Sequence, residues 1–355
     1  MLSEGRQSGM IKVYDFFSGC GGASCGFKNA GMHIALGLDN NPDAASTFRL
    51  NFPEANFIEE DIRNLKAEDL EQYIDKGSPS LFCGCAPCQP FSKQNQNKNG
   101  KDDRINLLQE FGRFVEYYLP DFIFVENVPG IQNFSIEVSP LAEFCNLLKR
   151  LKYKKPIIEI VQASKYGIPQ TRKRLIVMAS KSSNLRLPNF THGSGLNIKY
   201  STVGDWIRDL PPLKAGETDC NDPEHCAASL SEKNIKRIKA TPEGGGRLDW
   251  PEELWLECHK KHVGHSDVYG RLSYGRPASA LTTKCISYSN GRFGHPVDDR
   301  AISVREAARL QTFPFNYRFQ GSMMSKAKQI GNAVPPLMAE KLGEKFIEIV
   351  ETKTL

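Results

Sequence analysis

The chain has 355 residues, 40% of them hydrophobic and 25% charged, and a formal net charge of +5. That length suffices for two domains and a substantial core, the composition excludes a disordered or fibrous chain, and no apolar run approaches the ~20 residues that a membrane-spanning helix needs. The positive excess is compatible with a polyanionic partner but too mild to identify one.

Met1 to Met10 are polar and carry no apolar secretion core, so a cytoplasmic protein is expected. The ten cysteines are scattered through apolar and motif contexts. They do not form the framework of a disulfide scaffold, and reduced thiols fit them best.

A buried strand is predicted over 12–17, followed by the glycine turn Ser18-Gly19-Cys20-Gly21-Gly22 and a helix over 25–30. Glycines let the backbone approach a ligand, and a helix N-terminus leaves amides free for an acidic group. A second strand over 33–38 ends in Asp39, about twenty residues past the first glycine, where nucleotide-binding folds hold a ribose with an acid. Helix 44–51 follows Pro42, a short strand at 56–58 leads to Asp61 and Ile62, and 65–74 reads as helical. The apolar run 80–83 then gives way to Gly84-Cys85-Ala86-Pro87-Cys88-Gln89-Pro90-Phe91-Ser92. A thiol after a strand and a rigid proline is how a nucleophile is presented, although Cys83, Cys85 and Cys88 within six residues also permit a metal site. Residues 93–104 are nearly all polar, a solvated loop or a lid over an anion.

Helix 105–118, strand 121–125 ending at Glu126-Asn127-Val128-Pro129-Gly130, helix 140–151 and strands 157–161 and 175–179 continue the alternation. Repeated βα units predict a mostly parallel sheet with helices on both faces, in which ligands gather at the carboxyl ends of strands. The glycine turn, Asp39, Asp61, Cys88 and Glu126 all fall at such ends. After Ser180 periodicity fades, Pro, Gly, Ser and Asn become frequent, and acids and bases nearly balance across 181–270. Any nucleic-acid contact there rests on individual side chains. Cys220, Cys226, Cys258, His259 and His262 invite a zinc reading, but their spacings are not those of a finger. Ser303-Val304-Arg305-Glu306 is a capping box opening a helix through Gln311 that Pro314 stops. Residues 329–336 read as a second glycine turn, and 337–350 as an amphipathic helix expected to return to the first domain.

Taken in order, Asp15-Phe16-Phe17-Ser18-Gly19-Cys20-Gly21-Gly22, Pro87-Cys88-Gln89, Glu126-Asn127-Val128, Gln170-Thr171-Arg172-Lys173-Arg174, Arg305-Glu306-Ala307-Ala308-Arg309-Leu310-Gln311 and Gln329-Ile330-Gly331-Asn332-Ala333-Val334-Pro335 resemble the signature motifs of DNA (cytosine-5) methyltransferases. The resemblance covers most of the chain outside 181–270. It implies an α/β, Rossmann-like S-adenosylmethionine-dependent domain over 1–180 plus 325–355, and a smaller target-recognition domain with the connecting motif segment over 181–324. It also implies a bacterial or phage enzyme, monomeric, acting on double-stranded DNA, either beside a separate restriction endonuclease or as an orphan methylase. The Cys-Phe-Thr signature of the tRNA-methylating branch is absent.

By the same resemblance Cys88 is the nucleophile that adds to cytosine C6, since C5 is too poor a nucleophile until the ring is activated. Glu126 stabilises the activated ring at N3 and the exocyclic amine, and Arg172 and Arg174, two apart on an extended segment, contact the base, Glu126 or a phosphate. The donor is expected at Phe17, Ser18, Gly19, Gly21, Gly22, Asp39, Asn40, Asp61, Ile62, Pro87, Leu107 and Asn332, and DNA at Gln89, Ser92 and Arg104. Some family members carry a stacking aromatic after the ribose acid, where this chain has Asn40. The target base must leave the duplex, and the loop Gln94 to Arg104 is expected to close on it. A nicotinamide dehydrogenase would explain the glycine turn and Asp39 but leave Cys88 and Asn332 idle. A base-flipping relative without transfer activity would have no use for Cys88, Glu126 and Arg172.

Overall fold

The computed structural model describes residues 9–86, 107–129, 139–258 and 267–352. Two compact units divide the chain: Met1–Gln162, Lys173–Asn189 and Val334–Leu355 form the first, and Ala163–Arg172 with Phe190–Ala333 the second.

The first unit is built on a seven-stranded sheet of β1 (Lys12–Phe16), β2 (His33–Asp39), β3 (Asn56–Glu59), β4 (Ser80–Gly84), β5 (Phe122–Asn127), β6 (Ile157–Gln162) and β7 (Lys173–Ser180). The order is β3-β2-β1-β4-β5-β7-β6. Strands β1 to β5 are parallel, which leaves their carboxyl ends on one edge, whereas β7 runs antiparallel to both β5 and β6. Strands β1, β4 and β5 lie inside the sheet and are buried almost throughout. Burial on both faces is why they read as continuous apolar runs.

Helices α1 (Gly22–Asn29), α2 (Pro42–Asn51), α3 (Leu107–Tyr118) and α4 (Pro140–Arg150) connect these strands. Asn41 and Ser139 cap α2 and α4 by accepting from the amides of Ala44 and Ala142, with proline in the first helical turn. Helix α3 buries Leu107, Leu108, Phe111, Phe114 and Val115, a helical repeat that lays one face on the sheet. Its Phe111 and Phe114 meet Phe16 of β1 at centroid distances of 5.3 Å. The helix expected over 65–74 is instead a 3₁₀ segment, Ala67–Tyr73, preceded by a separate 3₁₀ turn at Ile62–Asn64. Arg113 of α3 donates to the carbonyls of Ile62 and Leu65 and so ties α3 to the junction between the two 3₁₀ segments.

The second unit has short helices α5 (Val203–Ile207), α6 (Glu232–Lys239), α7 (Val304–Leu310) and α8 (Met323–Asn332). Helix α7 carries the expected capping box, with Glu306 N donating to Ser303 Oγ at 3.0 Å and Ser303 N to Glu306 Oε2 at 2.7 Å. The glycine turn expected over 329–336 is corrected: Gly331 lies within α8. It is glycine because a Cβ there would come within 2.1 Å of the Thr282 carbonyl oxygen. Close approach, not a turn, explains it. Among the described residues no helix is long and apolar enough to cross a membrane.

Helix α9 (Pro336–Thr352) belongs to the first unit and packs on α1. The contact is backbone to backbone: a Cβ on Gly26 would sit 2.2 Å from the Pro336 carbonyl oxygen and 2.7 Å from Glu340 N. Gly26→Ala is expected to force α9 off α1 and cost about 1–3 kcal/mol, read as a lower urea midpoint; an unchanged midpoint would show that the helices can separate freely.

Asp15 of β1 is buried, accepts from Ser24 Oγ at 2.6 Å, and has its pKa pushed up by burial from 3.8 to about 6. With the folded value above the unfolded one, this group's contribution to stability is complete below about pH 4 and lost as pH rises through about 6. Asp15→Asn, which does not titrate, should therefore gain on wild type as pH rises from 4 to 8, by up to about 3 kcal/mol. A stability difference independent of pH would refute this.

Candidate active site

The turn leaving β1 is held from the neighbouring strand. Ser18 N donates to Leu38 O at 2.9 Å, Gly19 N to Asp39 Oδ2 at 2.8 Å, and Gly21 N to Ser18 O at 2.9 Å. These bonds bend the chain through positive φ at Phe17 (59°), Gly19 (52°) and Gly21 (85°) before α1 starts at Gly22. For a phenylalanine that conformation costs roughly 1–2 kcal/mol. Nothing within 4 Å would meet a Cβ on Gly19, so its backbone faces open space. Beside it, the buried Ser18 Oγ has no hydrogen-bond partner.

The other carboxylate oxygen of Asp39 accepts from Asn41 N at 2.9 Å. Asn40 Nδ2 lies 3.4 Å from Asp61 Oδ2, joining the ends of β2 and β3. Asp61 caps the 3₁₀ turn at Ile62 and pairs with Arg63 at 2.6 Å, and that guanidinium holds its pKa down to about 2. Gly19, Asp39, Asn40 and Asp61 thus form one connected row along the carboxyl edge, with the buried Ile62 behind it. Leu107, also buried, opens α3.

Glu126 on β5 is 6% exposed. Arg174 Nε of β7 lies 2.7 Å from its Oε1, yet that oxygen receives no hydrogen bond: the two are close in distance and out of line in angle. The sheet register explains the meeting, because β7 runs back along β5 and pairs Glu126 with Ile176.

Arg172 has different surroundings. It belongs to the second unit, is 1% exposed, and donates to the carbonyls of Leu281, Gly331 and Ala333 at 3.0–3.2 Å. Asn332 is the exposed last residue of α8. Pro87, Cys88, Gln89, Ser92, Arg104 and the loop Gln94 to Arg104 lie outside the described residues, as do His259 and His262. Among the described residues no group of three or more His, Cys, Asp or Glu could hold a metal. All nine described cysteines are free thiols.

Two features of this edge escaped the sequence reading. Asp15 and Ser24 form a buried pair beneath the turn, and Cys83 and Cys85 bring their sulfurs to 3.7 Å. Alternation along β4 puts both cysteines on one face, but the register of Asp15 opposite Cys83 is a pairing between strands that spacing does not encode.

The profile of the family described as C-5 cytosine-specific DNA methylase matches residues 11–348. The chain is 37% identical to the Type II methylase M.HgiDII of Herpetosiphon aurantiacus, with 96% of each chain covered. It is 31% identical to the Type II methyltransferase M1.HphI of Haemophilus parahaemolyticus, covering 96% of this chain and 87% of that one. Among solved structures, a candidate DNA modification methyltransferase encoded within an E. coli prophage superposes with a TM-score of 0.69 at 25% identity, covering 97% of this chain and all of that one. A profile match running nearly from end to end, together with the Rossmann-like sheet, makes the conclusion direct: this chain belongs to the C-5 cytosine-specific DNA methylase family.

Proposed function

We propose that this protein moves the methyl group of S-adenosylmethionine onto C5 of a cytosine flipped out of a specific duplex sequence, through a covalent bond between the Cys88 sulfur and C6. The observation that carries this reading is Glu126: a buried carboxylate at the carboxyl edge of the parallel strands, flanked by Arg174, with one oxygen that no hydrogen bond occupies. Such a group can accept from the exocyclic amine of a pyrimidine with one oxygen and, when it carries a proton, donate to N3 with the other.

The residues present fit the donor. Asp39, fixed by two backbone amides, offers a carboxylate to ribose hydroxyls, Gly19 leaves open space above its backbone, and Ser18 Oγ is an unpartnered polar atom beside it. Phe17, Gly21, Gly22, Asn40, Asp61, Ile62, Pro87, Leu107 and Asn332 are assigned to the donor by the family resemblance. Bound there, S-adenosylmethionine supplies an electrophilic methyl group.

The rest of the chemistry falls to the chain's own residues. The Cys88 thiolate adds at C6 and drives electron density toward C5, while Glu126 holds the ring edge where that density is shared. Loss of the C5 proton and departure of the thiolate restore the aromatic ring. Arg174 sits where it can steer the Glu126 carboxylate, and Arg172 acts through the backbone it binds. Gln89, Ser92 and Arg104 are assigned to DNA, the loop Gln94 to Arg104 to closure over the flipped base, and loops in 181–270 to sequence recognition. The enzyme acts as a monomer, and any cognate endonuclease acts separately.

DNA from cells expressing the protein should acquire cytosines that resist bisulfite conversion at one sequence. Cys88→Ala should abolish them, Glu126→Gln should lower kcat by about 10²–10⁴-fold while donor binding is retained, and Asp39→Ala should weaken donor binding by about 10-fold or more. Duplex carrying 5-fluorocytosine should trap the wild-type protein covalently. Protein that binds donor and duplex yet never forms that adduct overturns the covalent route.

A further inference from the structure

The pair Cys83 and Cys85 takes no part in the methyl transfer proposed above. We propose that these two thiols form a capture site for small trivalent arsenicals, which bridge both sulfurs in one step. Cys83 is the fourth residue of β4 and Cys85 follows the strand's last residue, so strand alternation turns both side chains to one face. Their sulfurs lie 3.7 Å apart, in van der Waals contact, and neither is in a disulfide. Cys83 is fully buried, whereas Cys85 is partly exposed, so a reagent enters from the Cys85 side. The Cys83 thiol lies against Asp15, its partner in the β1–β4 register, and the Cys85 sulfur against the backbone amide of Glu126.

The chemistry of the pair selects the ligand class. Zinc requires four donors, and no third ligand joins the two sulfurs among the described residues. A disulfide would need the sulfurs drawn to about 2.05 Å within a packed strand, together with an oxidant. An arsenic(III) centre that already carries one carbon has two bonds left, which matches two adjacent thiols. With methylarsonous acid two As–S bonds form, two As–O and two S–H bonds break, and two waters leave carrying the thiol protons; arsenic stays trivalent and nothing is oxidised. Burial pushes the Cys83 thiol well above its usual range; the Cys85 thiol, though its hydrogen bond with Cys83 pulls it down, is raised on balance by desolvation and the nearby Glu126 and Asp15 carboxylates. Both thiols therefore react poorly with reagents that need a thiolate, while this condensation supplies its own proton acceptor.

The test uses the full chain, with intact mass measured after one equivalent of methylarsonous acid. A Cys88→Ser background removes the third thiol of the same segment. The expected result is a single bridging adduct in both wild type and Cys88→Ser, formed after iodoacetamide has capped the exposed Cys220 and Cys258 and, in wild type, the nucleophile Cys88, lost in Cys85→Ser, and reversed by an excess of a small dithiol. An adduct that persists in Cys85→Ser, requires Cys88, or does not form in wild type overturns the proposal. Because the readout is mass and not methylation, the result stands or falls separately from the proposed catalytic route.

Discussion

One charge-assisted hydrogen bond, from the Gly19 amide to the Asp39 carboxylate at 2.8 Å, ties the turn after β1 to the last residue of β2. A bond of this kind contributes about 1.5–3 kcal/mol, comparable with the cost of holding Phe17 in the left-handed region. The turn therefore keeps its shape without any further gain from a ligand. The same carboxylate takes the Asn41 amide with its second oxygen, and Asn40 reaches Asp61. Everything assigned to the donor on β1, β2 and β3 thus hangs on one acid at the end of a parallel strand.

The second unit depends on a different device. Outside its short helices the described backbone forms isolated bridges and turn and loop hydrogen bonds but no ladder, so many carbonyls need other donors, and leaving one buried and unpaired costs about 1–3 kcal/mol. Guanidinium groups fill that need. Buried Arg271 donates to the carbonyls of Ile238, Thr241, His295 and Asp298. Arg300 joins Leu213 O to the fully buried Glu306, and Arg305 grips Asp222 with two bonds. An arginine carries five donors in one rigid fork, and for this work lysine is no substitute.

That contrast divides the Gln170 to Arg174 motif. Gln170 donates to Leu310 O at 2.7 Å and accepts from Leu281 N at 3.1 Å, and Arg172 binds the carbonyls of Gly331 and Ala333. Both therefore serve the backbone of the second unit, where the motif segments around 310, 281 and 331 meet. Arg174, two residues on, is the second residue of the antiparallel β7 and faces Glu126. Side chains that looked equivalent on an extended segment do different physical work.

Sequence alone determined the alternation of strands and helices, the acids at the ends of β2 and β5, and the glycine turn. Each of these is local: apolar runs bounded by glycine, proline or a capping side chain carry their own structural signal. The antiparallel β7, the 3₁₀ form of 67–73, the placement of Gly331 inside a helix, and the meetings of Asp15 with Cys83 and of Glu126 with Arg174 were not legible there. Tertiary structure decided them, because each depends on which distant backbone or side chain arrives alongside: Thr282 against Gly331, one strand in register beside another.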